Sequence, residues 1–149
     1  MSGIFSIAAA VLRTLVEIEP LVSAQEAHTN AFDVEATVTL PTDTLGDQFS
    51  LTDGAVYLRM TDGAFVPRDV LRPGDRIRAR GALVRQDNDL YNYARATRID
   101  ILAHDEPPPT VEASIPDLLD GRFLNRPVRT QGTVIDVFRD EIDPRFVFL

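Results

Sequence analysis

A strict two-residue period between Phe32 and Leu40 constrains this chain more than any other feature. Phe32, Val34, Ala36, Val38 and Leu40 alternate with Asp33, Glu35, Thr37 and Thr39. Successive strand side chains point to opposite faces, so the pattern demands an extended segment with one face buried. Pro41 and the polar TDTLGDQ end it. Phe49 and Leu51 open a second strand that stops at the turn signal Asp53-Gly54. A third strand comes next, with Val56, Leu58 and Met60 on one face and Tyr57 and Arg59 on the other. The irregular stretch after Thr61-Asp62-Gly63 leaves room for one helical turn over 67–71. Arg72-Pro73-Gly74-Asp75 launches a fourth strand, in which Ile77 and Ala79 alternate with Arg76, Arg78 and Arg80, and Gly81 marks a bulge. The polar run at 86–89 is a loop, and 91–102 forms a long fifth strand.

Five strands with a helical turn between the third and fourth predict a mainly β fold, a five-stranded OB-like Greek-key barrel over 31–104. A small β-sandwich is the alternative that pattern alone leaves open. Residues 1–30 form a helical lead-in, with a packed helix expected over 4–16. The apolar run 4–12 is too short to cross a membrane, which takes roughly 20 residues. A cleaved signal peptide is the competing reading, and the start carries no basic residue to favour it. Ser23-Ala-Gln-Glu26 has the form of a capping box before a short helix.

Residues 105–110 contain three successive prolines and form a stiff linker. Beyond it the pattern begins again. Ser114-Ile-Pro-Asp117 is a helix start, and VRTQGTVIDVF parallels FDVEATVTL at an offset of 96, pairing Phe32 with Val128 and Val38 with Val134. Residues 111–149 are therefore expected to hold the first hairpin of a second, incomplete OB-like unit. Such a hairpin is marginal alone, so the chain is expected to be a piece of a longer protein, or the hairpin to dock on the first barrel or on a partner, as in a dimer formed through the incomplete repeat.

The charge is segregated. All 15 basic residues are arginine, and the net charge is −8. Residues 1–55 hold one base and eight acids, 56–100 nine bases and six acids, and 101–149 five bases and nine acids. The middle is thus a basic island in an acidic chain. The acidic total disfavours general nucleic-acid binding, which depends on neutralising phosphates. With no lysine and no cysteine, a Walker-type phosphate loop, a Schiff-base lysine, a thiol nucleophile and a cysteine zinc site are excluded.

Catalytic and metal residues are not expected. His28 and His104 lack a partner at ligand spacing, no Gly-x-Ser-x-Gly elbow exists, and the acids at 140–143 lack the pattern of a calcium loop. No cofactor is implied. The coherent candidates are for binding. Tyr57 and Arg59 share the solvent face of the third strand, where OB barrels take ligands. Arg76, Arg78 and Arg80 form a row on the fourth strand, beside Tyr91, Tyr93 and Arg95 of the fifth. Aromatic rings beside guanidinium groups suit stacking combined with anion pairing. Surface arginines balanced by neighbouring aspartates are the plain alternative.

The lead-in LRTLVEIEPLVSAQEA, then VEATVTL, FSLTDG and LRPGDRIRARG, resembles the OB-like modules at the extracytoplasmic N-terminus of certain bacterial sensor histidine kinases. The resemblance covers residues 11–149. It implies tandem modules, each introduced by a short helix, then a membrane segment and a kinase core outside this chain. The kinase's phosphorylated histidine and ATP-binding motifs are absent here, so no catalytic residue carries over. The expectation is a non-catalytic sensory module, outside the cytoplasm, whose partner is a small anionic ligand or a neighbouring protein module. A stand-alone oligonucleotide- or oligosaccharide-binding protein is the alternative.

Overall fold

The computed structural model describes residues 10–41, 48–62, 71–85, 90–139 and 147–148. The chain is mainly β, with one helix before a five-stranded mixed sheet. Helix α1 (Leu15–Val22) starts at Thr14, whose hydroxyl accepts the Glu17 N–H at 3.2 Å while the Glu17 carboxylate takes the Thr14 N–H at 3.0 Å. This reciprocal cap is worth about 1 kcal/mol. Pro20 removes the donor that would reach Val16, and the helix ends two residues later. Leu15 and Ile18, three residues apart on one face, are fully buried.

The helix therefore begins later than the expected 4–16. Residues 10–13 are not helical, and 1–9 lie outside the described residues. Leu12 instead bridges β1, donating to the Ala31 carbonyl at 2.9 Å and accepting from the Asp33 N–H at 3.0 Å. Ser23 is not an N-cap but the C-cap of α1, and no helix comes directly after it.

The sheet comprises β1 (Ala31–Leu40), β2 (Gln48–Thr52), β3 (Tyr57–Asp62), β4 (Asp75–Val84) and β5 (Tyr93–His104). Strand β1 is shared: its first part pairs with β4 from Ala31↔Ala82 to Thr37↔Arg76, and its end pairs with β2 from Thr37↔Thr52 to Leu40↔Ser50. A register shift between Val38 and Leu40 bends it between the two neighbours. The β2–β3 hairpin is antiparallel, β5 pairs antiparallel with β4, and β3 meets β5 in a short parallel contact at Thr61↔Arg95 and Asp62↔Ala96. The strand order β1-β2-β3-β5-β4 thus returns to β1. The expected bulge is present, with the β4–β5 register shifting between Arg80 and Gly81. The fifth strand starts at Tyr93 rather than 91, so Tyr91 is not in it. The helical turn over 67–71 falls mostly on residues outside those described, as does the 86–89 loop; Leu71 itself is not helical.

The alternating residues fill the interior. Phe32, Val34, Ala36 and Val38 meet Phe49, Leu51, Leu58, Met60, Ile77, Ala79, Leu83, Ala94 and Ala96 there, and Leu15 and Ile18 pack against the same core. Small closed sheets pack their interior with side chains in this way.

Two devices hold the ends of this body. Fully buried Asn92, just before β5, donates from Nδ2 to the carbonyls of Leu21 (2.9 Å), Ala24 (3.1 Å) and Glu26 (2.8 Å). Its Oδ1 accepts the His28 N–H at 3.0 Å. At the other end Gly74, with φ +96°, approaches the outgoing chain so closely that a Cβ would sit 2.3 Å from the Asp105 carbonyl oxygen. Asp105 N–H bonds the Gly74 carbonyl at 3.1 Å.

After the linker, β6 (Val111–Glu112) pairs in parallel with β7 (Val128–Arg129), flanking α2 (Ile115–Leu119). The Ser114 cap is as expected, including Pro116 in the first turn. The second copy departs from the first over 130–137. That stretch forms no strand, although its match to the first copy predicts one, and Val134, Ile135 and Val137 are exposed. The repeat's last pairing joins β8 (Phe138–Arg139) to β9 (Val147–Phe148). The acidic run at 140–143 lies outside the described residues.

Candidate functional site

Strand alternation sends Leu58 and Met60 inward and leaves Tyr57 and Arg59 outside. Above them lies the turn after α2. Gly121 (φ +72°) and Asn125 (φ +60°) adopt left-handed conformations there, and glycine and asparagine tolerate them best. The Asn125 carbonyl accepts a long hydrogen bond from the Thr39 hydroxyl at 3.4 Å, which ties the turn to β1. The next residue, Arg126, places its guanidinium 5.2 Å from the Tyr57 ring centre and 6.0 Å from that of Phe123. Guanidinium over an aromatic face is attractive, by about 0.5–1 kcal/mol at partly exposed sites.

Between β3, the end of α1 and this turn is a cleft of about 540 Å³. Its walls include Val22, Val56, Tyr57 and Leu124, with Arg59, Arg122 and Arg126 as its cations and Glu19 as its one acid among the described residues. Arg122 is neutralised by Asp117 and Asp120. Among the described residues, the Arg59 guanidinium bonds only the neutral Gln48 side chain, at 3.0 Å.

The other expected site residues separate. Arg59 also lines a smaller cavity of about 210 Å³ with Tyr91 and Tyr93. Arg76 lines a third, of about 450 Å³, between Tyr57, Glu35 and the linker prolines Pro108 and Pro109. Arg78 and Arg80 do not join them. Arg78 makes a bidentate pair with Asp33, at 2.6 and 2.7 Å, and Arg80 reaches Asp33 at 3.5 Å and Asp100 at 3.3 Å. Two of the row's three members, Arg78 and Arg80, are therefore compensated by acids of β1 and β5.

That cluster holds the Asp33 carboxyl at about 2, down from its ordinary 3.8, mainly through the Arg78 hydrogen bond and then the charges of Arg78, Arg80 and Arg13. A carboxyl with a depressed folded-state pKa stabilises the fold fully above its unfolded value. The contribution is lost as pH falls from 3.8 through 2. Asp33→Asn should melt below the parent at pH 7, and the gap should close as pH falls through this window. Thermal melts of both proteins across that range check it; a gap that persists at pH 2 would remove the assignment.

His104 ends β5, its Nδ1 2.6 Å from the buried Asp75 carboxylate, which also accepts the Arg72 N–H at 2.8 Å. His28 donates its backbone N–H to the Asn92 side chain. No group of acidic residues and histidines suited to a metal ion occurs among the described residues. Among them, no helix is long and apolar enough to cross a membrane.

No local signal in the sequence marks Arg126, which stands 69 positions from Tyr57. Only the Gly121 and Asn125 turn chemistry hints at a built loop. No family model matches the chain, and neither the curated proteins nor the solved structures contain a match.

Proposed function

We propose that residues 31–104 form an OB-like Greek-key barrel acting as a non-catalytic interaction module, the sensory part of a bacterial signalling receptor of the sensor histidine kinase type, outside the cytoplasm. The observation that carries this reading is the closed strand order with a cleft over β3, the face on which OB barrels take ligands. The segment after the linker forms one wall of that cleft, so occupancy is coupled to the chain downstream of the barrel.

Reading the gene past codon 149 tests the proposal. A completed second barrel, a membrane segment and a kinase core are expected, and a soluble enzyme domain there would overturn it. Arg126 stacks on Tyr57, which disfavours a base stacking on that ring. Oligothymidylate should therefore show no binding even at low salt. Binding that weakens steeply with salt would transfer the cleft to the nucleic-acid reading.

A further inference from the structure

We infer that the cleft between β3 and the 121–126 turn is a receptor for a small aryl or alkyl oxyanion, a carboxylate or phosphate ester, with Arg126 as its anchoring cation. The inference rests on the cleft being a binding face and is independent of what lies downstream in the gene.

Four observations converge on Arg126. Its guanidinium stands over two rings, Tyr57 and Phe123, and so is oriented before any ligand arrives. Its Nε is buried and donates to nothing among the described residues. Buried polar atoms in native proteins are nearly always satisfied, so an orphan N–H beside an open cleft points to a partner from outside the chain. Arg126 has no carboxylate within 4.0 Å among the described residues, in contrast to Arg78, Arg80, Arg98, Arg122 and Arg129. Finally, Asn125 holds a left-handed backbone immediately before it.

The chemistry of the walls defines the ligand. Arg59 is the second cation of the cleft without a carboxylate partner among the described residues, and Glu19 opposes the pair, so the cleft favours an anion of low charge. Planar guanidinium forks match carboxylate and phosphate oxygens, and the Nε–H supplies one arm of such a fork. Val22, Val56 and Leu124 provide apolar contact for a carbon skeleton. A bare inorganic ion would leave those walls unused. The volume of about 540 Å³ lies within the range of small-molecule sites.

The experiment is a titration of the 149-residue chain with phenyl phosphate, benzoate, inorganic phosphate and phenol, followed through the arginine Nε–H resonances. Phenyl phosphate or benzoate should shift the Arg126 Nε–H saturably, and the stronger of the two identifies the oxyanion. Phenol should shift nothing, and inorganic phosphate should bind more weakly than its phenyl ester. Arg126→Gln should weaken binding by about tenfold or more, because it removes a charge-assisted bond in a partly desolvated site. Arg129→Gln, at an exposed pair with Glu112, should leave binding unchanged. If Arg126→Gln fails to fold, the saturable Nε–H shift in the parent protein decides the matter. No saturable shift with either organic anion, or equal weakening by both substitutions, would overturn the inference.

Discussion

Asn92→Leu is expected to lower the unfolding free energy by about 3–5 kcal/mol, with the fold retained. The side chain is fully buried, and leucine has a similar volume, so the loss does not come from a cavity. It comes from orphaned backbone. The two amide hydrogens serve three carbonyls, those of Leu21, Ala24 and Glu26, so one hydrogen is shared. The amide oxygen serves the His28 N–H. In the irregular 23–30 stretch, which has neither helix nor strand, this side chain serves the Ala24 and Glu26 carbonyls and the His28 N–H, beside the bonds that Arg85 and Leu83 make to the Gln25 and Asn30 carbonyls. Each buried polar group left without a partner costs about 1–3 kcal/mol, and the exposure of Gln25, Glu26 and Ala27 lets water recover part of the total. Urea denaturation of both proteins measures the difference; a loss below about 1 kcal/mol would show that the stretch finds other partners. Asn92→Asp should be worse at neutral pH, because a carboxylate would face three carbonyls without a hydrogen to offer.

Gly81→Ala is expected to be more damaging still, at more than about 4 kcal/mol, a large share of the stability of a domain this size. A Cβ there would lie 1.9 Å from the Arg95 carbonyl oxygen and 2.8 Å from the Phe32 ring tip. Neither neighbour can retreat cheaply. Arg95 is held in the β4–β5 ladder, while Phe32 is a core residue opposite Gly81 in the β1–β4 register. Gly54→Ala makes the contrast. Its Cβ would meet nothing within 4 Å, and only the φ of +93° is strained. That costs about 1–2 kcal/mol. Thermal melts of the two variants separate steric collision from backbone strain; equal effects would show that the bulge yields.

The strand scaffold was legible because alternation records which face of a segment is buried, and β1 shows it from Phe32 to Val38; past the register shift Thr39 is buried and Leu40 exposed, the reverse of the expected faces. Alternation does not record the neighbour. Residues 130–137 match the first copy by position, yet they form no strand, and the ladder pairings stop on either side of them at β7 and β8. Local motifs are ambiguous for a related reason. Thr14–Glu17 and Ser23–Glu26 have the same capping form, and the burial of Leu15 and Ile18 selects the first. At the candidate site, Tyr57 and Arg59 were readable from their face of β3. The neutralisation of Arg78 and Arg80 by Asp33 and Asp100, and the arrival of Arg126, depend on strand order and on the return of a distant turn. Spacing along the chain carries neither.

The bond between Asp105 and the Gly74 carbonyl makes the exit from the sheet a fixed point rather than a swivel. The polypeptide beyond it inherits the orientation of β4 and β5, much as a lever inherits that of its fulcrum. The 72–75 turn shares that anchorage, since Asp75 engages both Arg72 and His104.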